Sequence, residues 1–252
     1  MLKDFYDKHK NFSCRTLIEY YISPGIKCKF DILKKNLNTK KTFTSSIDLG
    51  SSGNSILLFL DKMNHKSFLD ITELPLKQYR DTITSHPLCG DLKRLPYRNE
   101  SFDFVSALDV LEHVKNDHVA ISEISRIVKT SGIVVITVPH RMKYYTNQDK
   151  IIGHYRRYEI DEMVDLFRKF KLKHLKTFGV YGLLMRISDI QSANPDKIEK
   201  NIVDLRYRYE NNRTFRKLWN IIVKVLSNLM KIDAKYQSLR KVMNIALIFK
   251  KI

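Results

Sequence analysis

The sequence predicts an α/β fold in which a mostly parallel sheet is covered by helices, and three observations point to it. Between about residue 45 and residue 182, short apolar runs alternate with amphipathic stretches, the pattern of strands joined by crossover helices. A glycine-bearing turn, Ile47-Asp48-Leu49-Gly50-Ser51-Ser52-Gly53-Asn54-Ser55, falls where a first strand should give way to a helix. The 252 residues suffice to bury one sizeable core with an extra element.

Residues 1–44 read as a mixed, helical segment with a break at Ser23-Pro24-Gly25. The core unit, 45–191, offers strands at Ser45–Leu49, Ser67–Asp70, Thr84–Cys89, Phe102–Ala107, Ile133–Val138 and Leu172–Gly179. Helices fit at Ser55–Met63, Asp117–Lys129 and Asp161–Lys169. Ser192-Ala193-Asn194-Pro195 breaks the pattern and opens a basic helical insertion over 192–243, rich in Lys, Arg and Tyr. Residues 244–252 return as a last strand, Asn244–Phe249 at its centre.

Composition narrows the class. Hydrophobic residues make up 43% and charged residues 29%, a globular balance, and no apolar run is long enough to span a bilayer. The start, Met1-Leu2-Lys3-Asp4-Phe5, lacks the apolar stretch of a secretory signal. Cys14, Cys28 and Cys89 are scattered, with neither zinc-site spacing nor disulfide density. A reducing, cytoplasmic compartment and no metal are therefore expected, since no His/Cys/Asp cluster shows ligand spacing. The excess of 45 Lys+Arg over 27 Asp+Glu, a net charge of +18, suits polyanionic partners: nucleic acid, an anionic leaflet or a phosphorylated substrate. A plainly solvated lysine-rich surface would look the same.

Gly50 permits the tight turn, and a helix after it would aim free N–H groups at a ligand. Asp70 lies about 20 residues past Gly50, at the end of the second strand, where an acidic side chain accepts hydrogen bonds from ribose hydroxyls. A turn or helix-capping aspartate is the bland alternative. These two features alone do not choose between a nicotinamide cofactor and another nucleoside.

Further blocks do choose. Ser46-Ile47-Asp48-Leu49-Gly50 is followed by Gly90-Asp91-Leu92, by Ser101-Phe102-Asp103-Phe104-Val105 and by Leu108-Asp109-Val110-Leu111-Glu112-His113-Val114. Glu123-Ile124-Ser125-Arg126-Ile127-Val128-Lys129-Thr130-Ser131-Gly132 then leads into Ile133–Val138. In this order the blocks, from about Ser46 to Met163, resemble the class I S-adenosylmethionine-dependent methyltransferases of the small-molecule and lipid type. The resemblance implies a Rossmann-like, doubly wound, mostly parallel sheet with an antiparallel last strand, the helical insertion preceding that strand.

It also implies a cofactor, S-adenosylmethionine, leaving as S-adenosylhomocysteine. Asp48, Gly50, Ser52 and Gly53 would shape the methionine end, and Asp70 would hold the ribose. Asp91 would face the adenine amino group beside the Leu92 backbone, and Leu108 and Asp109 would floor the site near the sulfonium. Two positions depart from the family: glycine is usual where Ser52 and Asn54 stand. Ser52 adds a Cβ where the backbone should approach methionine, whereas asparagine tolerates positive φ. A scaffold that has lost catalysis is the reading these departures motivate.

On the acceptor side, His113, His140 and His154 are the candidate bases, because histidine titrates near neutrality. His113 could instead position cofactor or chain, and His140 could be a solvated loop residue. In Gly153-His154-Tyr155-Arg156-Arg157-Tyr158, the residues His154, Tyr155, Arg156 and Arg157 could grip an anionic acceptor. Salt bridges that pin the loop are the alternative for both arginines. In the insertion, Phe215, Leu218, Trp219, Ile222, Val225, Leu226, Leu229 and Met230 recur at helical spacing, with Lys217, Lys224 and Lys231 expected opposite. Three roles stay open for 215–231: a cap over the pocket, a helix lying on an anionic membrane, or a nucleic-acid contact. The acceptor is accordingly expected to be a small molecule, a glycan or a lipid-linked group, with RNA or protein as the runner-up.

Overall fold

In a computed structural model of the chain, residues 15–37, 41–80, 85–185 and 195–252 are described. Seven strands form one sheet: β1 (Phe43–Leu49), β2 (Met63–Asp70), β3 (Ser85–Cys89), β4 (Phe102–Leu108), β5 (Val128–Pro139), β6 (Leu172–Tyr181) and β7 (Asn244–Lys251). Their order is β3-β2-β1-β4-β5-β7-β6. The first five are parallel, and β7 inserts antiparallel between β5 and β6. The doubly wound sheet and its antiparallel last strand are as expected.

In β5 and β7 long apolar runs are buried because both faces of the sheet are covered there. In β7, Ile245, Leu247 and Phe249 enter one core, while Ala246 and Ile248 enter the other. Ile47 and Leu49 of β1, and Val105 and Ala107 of β4, join the first core, whereas Phe43 and Phe104 point to the second. The helices sort accordingly. α1 (Ile18–Ile22) is followed by α2 (Pro24–Leu37), which sends Phe30, Leu33 and Leu37 into the second core. α3 (Glu73–Leu76) is a single turn after β2. α4 (Asp117–Ile127) covers the first face with Ala120, Ile121 and Ile124. α5 (Asn147–Ile151) is a short connector, and α6 (Ile160–Lys169) adds Met163 and Phe167 to the first core. Phe167 stacks on Phe249 with ring centroids 4.2 Å apart, tying α6 to the last strand.

The structure departs from the expected helices once and refines them twice. The helix expected at Ser55–Met63 is one 3-10 turn, Ile56–Phe59. Ser55 caps it through Leu57 N, and β2 already begins at Met63, so the chain has no room for a full helix. The helix start expected at the cofactor loop is therefore this single short turn. Secondly, the insertion is two helices, α7 (Pro195–Asn211) and α8 (Arg213–Tyr236). Asn212 leaves the helical region and its side chain accepts from Phe215 N at 2.9 Å, starting the second helix afresh. Thirdly, the apolar residues of α8 do not share one buried face. Val223, Ser227 and Ala234 are buried, whereas Leu218, Ile221, Val225, Leu226, Leu229 and Ile232 face outward. Ser192–Asn194, Cys14, Thr84 and the first 14 residues lie outside the described residues. Among the described residues no helix is long and apolar enough to cross a membrane.

Candidate active site

The strand order reverses direction between β1 and β4, and the carboxyl ends of those strands open into a cavity of about 970 Å³. Crevices at such switch points are where open α/β sheets bind ligands. The loop after β1 is built to a tight tolerance. Gly50 has φ +71°, and a Cβ there would lie 2.5 Å from Val110 Cγ2. Gly53 has φ +75°, and a Cβ there would meet Arg15 O at 2.0 Å. The segment before α1 thus lies directly on the loop, with Arg15 N donating to Ser52 O at 3.0 Å. The left-handed non-glycine residue is Ser52, at φ +47°, whereas Asn54 has no positive φ. The tolerance of asparagine for that region is therefore not what the loop uses.

Asp70 ends β2 and lines the cavity. Its carboxylate accepts from Ser52 N at 3.1 Å, from Thr72 N at 3.1 Å and from Thr72 Oγ1 at 3.2 Å. It both shapes the loop and faces the ligand space. Asp48 lies below, buried, and accepts from Ser106 Oγ at 2.5 Å. Burial pushes its carboxyl up to about 6, against hydrogen bonds from Ser106 and Ser55. Ser51 Oγ and Asn54 Oδ1 are buried in the same loop without hydrogen-bond partners. Asp91 accepts from Lys93 N at 2.9 Å and stands half-exposed at the rim, beside buried Leu92. Leu108 and Asp109 end β4 and line the cavity floor. Acceptors at the rim, unpartnered polar atoms in the loop and apolar surface at Leu92 fit a nucleoside with a charged amino-acid tail.

The far half of the cavity is denser in charge. Asp109, at φ +56°, meets Lys29 Nζ of α2 at 2.8 Å and accepts from Thr137 Oγ1 and Asn244 Nδ2, each at 2.8 Å. Burial opposes its charge, but Lys29 and these donors hold the carboxyl down at about 2. Glu112 is fully buried, and neither carboxylate oxygen has a hydrogen-bond partner. Burial, with Asp109 nearby, pushes it well above the usual carboxylate range. His113 and His154 pack edge to face, ring centroids 4.6 Å apart. Burial, then His154, holds His113 down at about 3, so it is neutral. His154 Nδ1 donates to Asp149 Oδ1 at 2.7 Å, which leaves a lone pair on Nε2, 3.8 Å from Glu112 Oε1.

Both arginines of the 153–158 loop are held by carboxylates. Arg157 binds Asp149 through two nitrogens, and Arg156 lies 2.6 Å from Asp117 and donates to Lys115 O. Arg157 reaches the cavity wall and Tyr155 lines it half-exposed, while Arg156 faces Asp117 outside it. His140 is also outside the wall: its Nδ1 is 3.2 Å from Val242 O and its Nε2 faces Glu159. The structure thus gathers His113, His154 and Tyr155 at the cavity and leaves His140 and Arg156 beyond it.

Several residues of the cavity were not placed in it from the sequence, Trp219 being read only as part of the amphipathic stretch 215–231. Lys29, Glu19, Arg206 and Trp219 all line it. Trp219 Nε1 donates to Ile22 O at 3.0 Å, and Arg206 pairs with Glu19, so α7 and α8 close the cavity against α1. These contacts join positions nearly 200 residues apart, and no local pattern announces them. Asp149 was legible as the fourth residue of the capping box opened by Thr146.

The fold is Rossmann-like, and the crevice at its switch point lies where such sheets bind ligands. Residues 47–136 match the family model described as a methyltransferase domain. An uncharacterised protein of Methanocaldococcus jannaschii is 28% identical over 188 residues, 72% of this chain and 74% of that protein. Among solved structures, an S-adenosylmethionine-dependent methyltransferase of Thermotoga maritima superposes with a TM-score of 0.64 at 16% identity, covering 100% of both chains. Phosphoethanolamine N-methyltransferase 2 of Haemonchus contortus, solved with S-adenosyl-L-methionine, gives 0.61 at 17% identity, over 100% of this chain and 60% of that one. At these identities the structural likeness is one of fold.

Proposed function

We propose that this chain transfers the methyl group of S-adenosylmethionine to a small-molecule or lipid-linked acceptor that enters the far half of the cavity. The carrying observation is the cavity itself. A single space runs from Asp70 and Asp91, suited to a nucleoside, to His154 and Tyr155, suited to an acceptor. The bound cofactor supplies a methyl group carried on a positively charged sulfur. Asp70 accepts from the ribose hydroxyls while its hold on Ser52 N keeps the loop shaped. The Trp219 and Arg206 contacts exclude water and align the acceptor, the largest contribution such a displacement needs from a site. His154, its Nδ1 proton fixed on Asp149, turns an electron pair toward the space where an acceptor hydroxyl or amine would lie.

The outward face of α8 favours a membrane-borne acceptor. Leu218, Ile221, Val225, Leu229 and Ile232 recur every three or four residues and are each about half-exposed or more. Arg213, Lys217, Lys224 and Lys235 are exposed alongside. Apolar side chains bordered by cations suit an anionic bilayer surface. The same helix carries Trp219 at the cavity, so docking would bring the entrance to the lipid. Nothing in the described residues resembles a sequence-specific RNA reader.

Incubation with methyl-labelled S-adenosylmethionine and fractionated lipid, small-molecule, RNA and protein extracts tests this reading. Label in the lipid or small-molecule fraction is expected. Label confined to RNA or protein would overturn the choice of acceptor, and cofactor binding without any turnover would favour a scaffold.

A further inference from the structure

Asp109, Asp149 and Glu112 stand in the wall of the acceptor half, and two of the three have a cation. Lys29 matches Asp109, and Arg157 matches Asp149. The third, Glu112, is fully buried, and neither of its oxygens has a hydrogen-bond partner. An ionised carboxylate without water or partner is costly by several kcal/mol, so such a group either keeps its proton or receives a cation.

Its neighbours are suited to a cation. Glu112, His113 and His154 each present a ligand atom, all within 4.8 Å of one another. From these positions we infer that Glu112, His113 and His154 form a binding site for one divalent transition-metal cation, open to the cavity on the acceptor side.

The chemistry of the set is specific. Two imidazoles and one carboxylate, with remaining positions open, suit zinc, manganese or ferrous iron rather than calcium or magnesium. A tetrahedral centre with bonds of about 2.1 Å spaces its donors by about 3.4 Å, so the three side chains need to close by little more than about 1 Å. The second layer is already built. His154 Nδ1 donates to Asp149, which fixes the ring and turns Nε2 to the site, and Arg157 holds Asp149 by two hydrogen bonds. A histidine oriented by a carboxylate in this way is the usual support of a metal ligand. All three residues line the cavity, so an oxygen or nitrogen of an acceptor could occupy an open position. That last use rests on the methyl-transfer reading, with the cation taking the His154 lone pair and replacing it as the group that activates the acceptor; cation binding itself does not.

The test is titration of the chelator-treated full chain with Zn2+, and with Co2+ for its visible absorption, followed by the same titrations of Glu112→Gln and His154→Gln. His65 and His86, exposed with rings 6.3 Å apart on neighbouring strands, form a competing surface pair, so His86→Ala is the control. One cation per chain is expected, weakened at least tenfold by either site variant and unchanged in His86→Ala. Asp149→Asn, which touches the cation only through His154, should weaken binding by roughly 10- to 100-fold and serves if a site variant does not fold. Absence of binding, binding that survives Glu112→Gln, or binding abolished by His86→Ala would overturn the assignment. A parallel titration with S-adenosylmethionine separates failure of this site from failure of the cofactor site.

Discussion

Ser52 holds φ +47° where a side chain is disfavoured, and its backbone N–H is fixed by Asp70. Ser52→Gly should relieve the conformation, raising stability by up to about 1 kcal/mol in thermal melts without weakening cofactor affinity. Gly53→Ala, by contrast, places a Cβ against Arg15 O and should cost at least about 2 kcal/mol. The departure at Ser52 could be read from the sequence, but which loop residue takes positive φ could not. That choice follows from the packing of Arg15 and Val110 against the loop.

Asp48 carries a different signal. Its folded-state carboxyl is raised to about 6 by burial, so its protonated form is the one folding favours. The stability it contributes is fully present below about pH 4, the unfolded value, and is lost as pH rises through about 6. Asp48→Asn should therefore stabilise the free protein at pH 7.5 by on the order of 2 kcal/mol, with the gain vanishing near pH 4. Urea melts at the two pH values check this. An equal gain at both would show that burial of the charge is not the cause.

At the scale of elements, the strands were the most legible because each is a short apolar run between turn residues. Register and sheet order were not, and only the family resemblance anticipated the antiparallel β7. The insertion shows where periodicity stops informing. Helical spacing correctly marked α8, yet its apolar residues encircle too much of the helix for one packed face. Val223, Ser227 and Ala234 meet the body of the protein, and small residues there let α8 lie close. The larger Leu218, Ile221, Val225, Leu229 and Ile232 are left outside. If that face docks on membrane, sedimentation with anionic vesicles should exceed that with neutral ones and fall at least tenfold in Val225→Glu/Leu229→Glu, with the fold unchanged. Sedimentation equal on both vesicles, or a wild-type dimer that the double variant dissociates, would assign the stripe to other contacts.

For the whole molecule, the residues proposed for the cofactor were marked by motifs in the sequence, and those of the acceptor half only in part. Asp48, Gly50, Asp70 and Asp91 sit at strand ends within one βα unit or its neighbour, so their spacing along the chain reflects their spacing in space. Lys29, the pair Asp109 and Glu112, His154 and Trp219 converge from four separate regions, and only folding brings them to one cavity. No ligand spacing marks Glu112, His113 and His154 in the sequence for that reason: His154 is remote along the chain from the other two, and folding brings their ligand atoms within 4.8 Å. The net charge of +18 belongs to this scale as well, and the exposed lysines beside the α8 stripe give it a direction.

The central claim, a cofactor site at the ends of β1 and β2 that serves methyl transfer, is tested most directly by calorimetric titration with S-adenosylmethionine. The wild type should bind one molecule per chain with micromolar affinity, and Asp70→Ala, shown to be folded by circular dichroism, should lose at least about tenfold, the loss expected for a charge-assisted hydrogen bond. A wild type that does not bind, or an Asp70→Ala variant that binds equally well, would contradict the account.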